Sequence, residues 1–189
     1  MRYFFVHDRI RVWAQWGLVL MLCLCLVPVA RAEGPDLFFS ADSPLPETLR
    51  FDYLLIEKEK RLLTAFSGGE AVRMYRVALG VEPVGAKEFQ GDGKTPEGMY
   101  HVDGKNPHSQ YYKNLGVSYP SREDREHAAK SGKSPGGDIK IHGLGPKFRQ
   151  LGSMQWRYDW TLGCIAVTDE EIDELYERTP VGTPIEIRP

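Results

Sequence analysis

Ile141-His142-Gly143 and, with eighteen residues between that histidine and its first residue, Thr161-Leu162-Gly163-Cys164-Ile165-Ala166-Val167 are the segments on which the reading of this chain turns. Ile139 and Ile141 alternate with Lys140 and His142 over 138–142, the period-two pattern of a short strand with one apolar face. Gly143-Leu144-Gly145-Pro146 breaks that strand at once, so His142 is expected at a strand end. Gly163 to Val167 reads as a second, buried strand, and Cys164 is on it. Thr168-Asp169-Glu170-Glu171 is then a capping box that opens a helix over 169–178, with Ile172, Leu175 and Tyr176 as its apolar stripe.

Working outward, the flanks read as β. Strands are expected over 50–57, 61–67 and 71–79, joined by the polar turn Glu57 to Lys60 and the hairpin turn Gly68-Gly69. The charge run over 57–61 reads as a solvated turn. Gly80 to Pro96 is a Gly- and Pro-rich loop ending in Gly91-Asp92-Gly93-Lys94-Thr95-Pro96-Glu97-Gly98, a rigid turn into a strand over 99–103. Residues 105–137 read as long and irregular, with a short polar helix over 121–129 capped by Ser121. Tyr111, Tyr112 and Tyr119 either line a groove there or pack on the sheet. Trp156, Tyr158 and Trp160 alternate just before the cysteine as a core wedge or a cleft wall. A closing strand is expected over 184–187. The fold class is mainly β with short helices (α+β).

Residues 1–32 read as a signal peptide. Arg2, Arg9 and Arg11 form a positive n-region, Gly17 to Val29 is apolar, and Ala30-Arg31-Ala32 fits a small-x-small cleavage site. The alternative is an uncleaved anchor, since Val12 to Ala30 carries no charge. Either way the domain over 50–189, after a Pro-rich lead-in over 33–49, lies outside the cytoplasmic membrane: exported, in the periplasm or cell envelope, with no stable membrane insertion once the leader is cut. Without residues 1–32 the chain keeps 20 basic and 25 acidic residues, a net charge of −5. No basic block remains, which argues against nucleic acid as a partner.

Cys23 and Cys25 leave with the leader, so Cys164 stands alone in a compartment where cysteines pair. A lone thiol there is either buried and inert or in use. A thiolate is the nucleophilic form of cysteine, and a nearby imidazole both lowers a free-thiol pKa of about 8.5 and serves as base and acid. Gly163 before it permits close approach of a substrate and leaves backbone N–H groups for an oxyanion, where one donor is typically worth about 3 kcal/mol. By themselves these residues leave His142 open as a structural histidine. Other chemistry lacks its pattern: there is no His-Glu-x-x-His, no Cys-x-x-Cys, no Gly-x-Ser-x-Gly and no phosphate loop. No metal or other cofactor is implied.

Taken together, His142-Gly143, Thr161-Leu162-Gly163-Cys164 and the upstream Thr95-Pro96-Glu97-Gly98 resemble the L,D-transpeptidase catalytic-domain family of peptidoglycan-remodelling enzymes, over about residues 51–188. The resemblance implies a β-sandwich or mixed sheet with a catalytic cleft. It implies that Cys164 attacks a diaminopimelate carbonyl in a peptidoglycan stem peptide, with His142 as proton donor and acceptor. Gly163 and Cys164 would supply oxyanion donors, supported by Thr161 and Gly143, and Tyr111, Tyr112, Trp156 and Trp160 would line the cleft. An amine would resolve the thioester into a cross-link; water would give a carboxypeptidase. The chain departs from the family at Leu162, often His, and at Ala166, often Arg or Asn. Ser109-Gln110-Tyr111-Tyr112 through Tyr119-Pro120 with Gly-Cys-x-Ala looks like a subgroup that includes an amidase releasing wall-anchored lipoprotein. A sortase fits less well, since Thr161-Leu162 stands only one residue from Cys164. An inactive wall-binding module is the reading from outside enzymes.

Overall fold

The structure is a computed structural model that describes residues 44–189. The leader over 1–32 and most of the lead-in over 33–49 lie outside the described residues. Strands β1 (Tyr53–Glu57), β2 (Leu62–Ser67) and β3 (Glu70–Arg76) form the expected meander. Gly68 and Gly69, with φ of 62° and 82°, close the β2–β3 hairpin in the left-handed conformation that a two-residue loop demands.

The region after Asp103 departs from the expectation. Strand β4 runs over Gly98–Ser109, twelve residues, and turns at Gln110-Tyr111 into β5 (Tyr112–Val117). Past Val102 no β4 side chain is buried, and the pairing with β5 shifts register twice. Backbone hydrogen bonds hold this stretch, so its side chains carry no period-two signal. Helix α1 (Arg122–Lys130) follows, capped by Ser121 as expected.

Strand β6 (Lys140–His142) leads into a short helix α2 (Gly145–Phe148) and a 3₁₀ stretch (Arg149–Arg157), where a plain loop was expected. Strand β7 (Ile165–Ala166) precedes α3 (Asp169–Arg178), whose Thr168 and Glu171 form the expected capping box, and β8 (Pro184–Arg188) closes the chain.

The strands join in one mixed sheet of order β3-β2-β1-β8-β4-β5-β6-β7. β1–β8 and β6–β7 are parallel and the other pairs antiparallel. The sheet curls until its ends meet. Ala78, just past β3, exchanges two backbone hydrogen bonds with Ala166 of β7, at 3.0 and 2.9 Å. Leu79 and Val81 bond Thr161 in the same way. The core inside the curl holds Phe51, Leu54, Ile56, Leu63, Leu115, Ile141 and Ile165, together with Ile172 and Leu175 of α3.

The charge run over 57–61 makes the expected turn, with Glu59 and Lys60 exposed, but Lys58 within it is not solvated. Lys58 is buried, and its Nζ donates to Gly85 O at 2.6 Å, Thr95 O at 3.1 Å and Glu97 Oε1 at 2.7 Å. An ammonium with three acceptors tolerates burial, and here it ties the 85–97 loop to the meander.

Candidate active site

His142 ends β6, and Cys164 directly precedes β7. The two strands are parallel with His142 opposite Ala166, so Cys164 lies two residues back along its own strand. Both residues line a cavity of about 440 Å³ with Tyr111, Phe148, Trp160 and Leu162. They also line a neighbouring cavity of about 260 Å³ with Asn106, Asn114 and Lys140. Cys164 and His142 thus sit where two cavities meet.

His142 is buried, and its Nδ1 lies 2.6 Å from Gly143 O. A carbonyl only accepts, so Nδ1 carries the ring proton and Nε2 is left with its lone pair. Tyr111 stacks on the ring at 4.4 Å, and Trp160 meets it edge-on at 5.7 Å. Burial holds the His142 pKa below its ordinary 6.5. The half-buried Cys164 thiol has Asp138 O 3.7 Å from Sγ, and burial pushes its pKa above 9.0, against the opposing pull of a Lys140 backbone hydrogen bond. Both groups are therefore neutral near pH 7. The arrangement is a thiol beside an imidazole with an open lone pair, not a standing ion pair.

Thr161 is buried and fixes the loop that carries the thiol. Its Oγ1 accepts from Gly163 N–H at 3.1 Å and donates to Cys164 O at 2.8 Å. This corrects one expectation. The Gly163 N–H is taken by Thr161 and is not a free oxyanion donor, which leaves the Cys164 N–H as the donor of that pair. Gly163 is needed for another reason. Its φ is +130°, and an added Cβ would stand 2.6 Å from Lys94 O, in the turn that leads to Thr95. Gly80 N donates to buried Thr95 Oγ1 at 3.0 Å. The Thr95-Pro96-Glu97-Gly98 turn thus supports the cysteine loop from behind.

Of the aromatic residues expected along the cleft, Tyr111 and Trp160 line it, and Tyr112 and Trp156 do not. Tyr112, the first residue of β5 after the turn that holds Tyr111, donates from Oη to Asp173 on α3 at 3.0 Å. Trp156 lies on the 3₁₀ stretch beneath the Arg76 guanidinium, 5.0 Å from its ring centre. Phe148, which lines the cleft on α2, gave no signal in the sequence. Asp169 was also missed. It is buried, and its Oδ1 accepts from Leu144 N–H at 2.8 Å and Gly145 N–H at 3.0 Å. A Cβ on Gly143 would stand 2.7 Å from that same oxygen, so the residue after His142 must be small. An acid in the first turn of a helix opening right after the cysteine strand was the available cue. Leu162 is 82% exposed at the cleft mouth, and Ala166 is wholly buried. Among the described residues no group of three or more His, Cys, Asp or Glu is placed to hold a metal ion. Among them also, no helix is long and apolar enough to cross a membrane.

Comparison with known proteins follows the same outline. The profile of the L,D-transpeptidase catalytic domain (YkuD) matches residues 52–187. YafK of Escherichia coli (strain K12), whose name assigns it provisionally to the L,D-transpeptidases, is 28% identical over 174 residues, covering 85% of this chain and 62% of that protein. The chain thus spans under two thirds of this relative's length. Among solved structures, the helical cell shape determining protein Pgp2 from Campylobacter jejuni superposes with a TM-score of 0.56 at 23% identity, over 75% of this chain and 48% of that one. Bd1075 of Bdellovibrio bacteriovorus does so with a TM-score of 0.52 at 22% identity, over 76% and 49%. These two likenesses are of fold.

Proposed function

The chain belongs to the L,D-transpeptidase catalytic-domain family (YkuD), and from that premise we propose that it is a cysteine acyltransferase acting on the stem peptides of peptidoglycan. Cys164 is the nucleophile and His142 the base. The observation that carries this reading is the hydrogen bond from His142 Nδ1 to Gly143 O, which leaves Nε2 with its lone pair on a residue that lines the same cavity as Cys164.

In the first step Nε2 takes the thiol proton as Sγ attacks a diaminopimelate carbonyl. The Cys164 N–H faces the developing oxyanion. The C–N bond then breaks, His142 returns the proton to the departing amine of D-alanine, and a thioester remains on Cys164. An incoming amine reverses the sequence and forms a cross-link, with its proton passing through His142. Water in the same role makes the enzyme a carboxypeptidase, or an amidase if the departing amine belongs to a wall-anchored lipoprotein. Two cavities meeting at the thiol support transfer, because one can hold the acyl half while the other admits the amine. Residues 1–32 support an exported enzyme of the periplasm, cut near Ala32.

Incubation of a purified tetrapeptide muropeptide with the protein, beside a Cys164→Ala control, tests the reading by mass spectrometry. The expected result is loss of D-alanine, a thioester adduct on Cys164 and a new dimer. Loss of D-alanine without a dimer would move the activity to hydrolysis. An untouched tetrapeptide and an unlabelled Cys164 would overturn the reading.

A further inference from the structure

The strip of chain over 78–81, just past β3, is the bed on which the thiol loop lies. Leu79 O accepts from Thr161 N–H at 3.1 Å, and a Cβ on Gly80 would stand 3.2 Å from Gly163 Cα. The four successive N–H groups of this strip are satisfied in two different ways. Ala78 and Val81 donate to backbone carbonyls, of Ala166 at 3.0 Å and of Thr161 at 2.9 Å. Leu79 and Gly80, between them, donate to side chains: Leu79 to Asp159 Oδ1 at 3.0 Å, and Gly80 to Thr95 Oγ1 at 3.0 Å. A side-chain acceptor holds a backbone only as firmly as it is itself held.

Both acceptors are held from one place, the turn between β1 and β2. Lys58 Nζ reaches the Thr95 carbonyl at 3.1 Å. Arg61 reaches Asp159: its Nη2 donates to Oδ2 at 2.6 Å, and its Nε lies 3.2 Å from each carboxylate oxygen. The pair is mostly buried, with the Arg61 side chain 26% and the Asp159 side chain 14% exposed. A forked guanidinium fixes the plane of a carboxylate as well as its position, which keeps Oδ1 aimed at Leu79. Arg61 is fixed in turn. Its Nη1 and its backbone N–H both donate to Lys58 O, at 2.6 and 3.1 Å, and its carbonyl accepts from Val77 N–H at 3.0 Å. Its φ is +50°, a left-handed backbone that a residue with a side chain keeps only where its surroundings impose it. Neither Arg61 nor Asp159 lines the two cavities at Cys164, so any part they play is played through the chain.

We propose that Arg61 is a positioning residue for Cys164. Through the Asp159 carboxylate it fixes the strip over 78–81. That strip seats Thr161 to Gly163, so that the thiol faces the cavity it shares with His142. A turn about a hundred residues upstream is thus part of what makes the nucleophile usable. The inference rests on Cys164 being the residue acylated.

The full chain is compared with Arg61→Ala, Arg61→Lys, Asp159→Asn and the double variant of Arg61→Ala with Asp159→Asn. Arg178→Ala is the control: that side chain is also mostly buried, but it joins Glu174 of α3 to the carbonyl of Pro46, away from both cavities. Release of D-alanine from a stem tetrapeptide gives kcat and KM. Arg61→Ala and Asp159→Asn should each lower kcat about a hundredfold, at a KM within about twofold of the parent's. The double variant should be no slower than the slower single one, because one clamp breaks only once. Lysine keeps the charge and loses the fork, so Arg61→Lys should lose about tenfold. Millimolar guanidinium, far below denaturing concentrations, should speed Arg61→Ala and not Asp159→Asn. Arg178→Ala should lower the Tm and leave kcat unchanged. An equal fall of kcat in Arg178→Ala, a raised KM at unchanged kcat in the Arg61 variants, or additive losses in the double variant would each overturn the clamp. Should Arg61→Ala not fold, Arg61→Lys decides, and a parental kcat there overturns it. Alkylation of Cys164 by iodoacetamide, followed against pH, needs no substrate. A loosened loop frees the thiol from burial, so the midpoint in the Arg61 variants should move down from above 9.0 toward that of a free thiol. That movement without any thioester on the parent chain sinks the acyltransferase reading alone. A thioester on the parent, with neither the movement nor the slowing in the variants, sinks the clamp alone.

Discussion

Cys164 and His142 are each held toward the uncharged form by burial, and that fixes how the pair should respond to pH. In the proposed mechanism the productive state is a thiol with a neutral imidazole. kcat/KM should rise as His142 loses its proton, with a midpoint below 6.5, and should fall only above 9.0, where the proton needed by the leaving amine is gone. A thiolate–imidazolium resting pair would reverse both shifts, and an alkaline midpoint below 9.0 would reveal it. Stability follows the same groups. As pH falls from 6.5 the unfolded chain gains a proton at residue 142 before the folded one, so stability is lost toward acid. Above 9.0 the unfolded thiol ionises first, and stability is lost again. Both trends can be followed by thermal unfolding across pH.

At the next scale, α3 does more than cover the core. Asp169, its first residue, faces the turn after His142. Two elements distant in sequence are thereby locked at the point where the imidazole is aimed. Asp169→Ala would leave the Leu144 and Gly145 N–H groups buried without an acceptor, a cost of about 3 kcal/mol. It should also lower kcat, because the Gly143 carbonyl that sets the His142 tautomer would no longer be fixed. Thr168→Ala removes only the cap, at about 1 kcal/mol, and should leave kcat close to that of the parent. Urea denaturation with steady-state rates on the two variants checks the contrast. Equal effects on kcat would deny Asp169 its part in aiming the histidine.

Across the described residues as a whole, the closure of the sheet is the organising event. The amides of Ala78 and Ala166 should exchange with solvent as slowly as those of the central β1 and β8; fast exchange at Ala78 would show that the ends only touch. None of this closure was legible in the sequence. Local patterns revealed His142, Cys164, the capping box over 168–171 and the Gly68-Gly69 turn, because each is written in adjacent residues. Strand β5 and Asn114 stayed hidden because β4 beyond Val102 is held by backbone pairing and shows no alternation. Lys58 was misread because its acceptors lie 27 to 39 residues further along the chain. Tyr112 and Trp156 were misplaced because an aromatic side chain does not declare which face it takes. The closure has one more consequence. Strand β7 is two residues long, and its outer side would be an exposed row of unpaired backbone groups, the kind of edge on which a second chain can polymerise. Ala78 occupies that edge from within the molecule. The strand next to Cys164 is thereby insulated from aggregation while the cleft in front of it stays open.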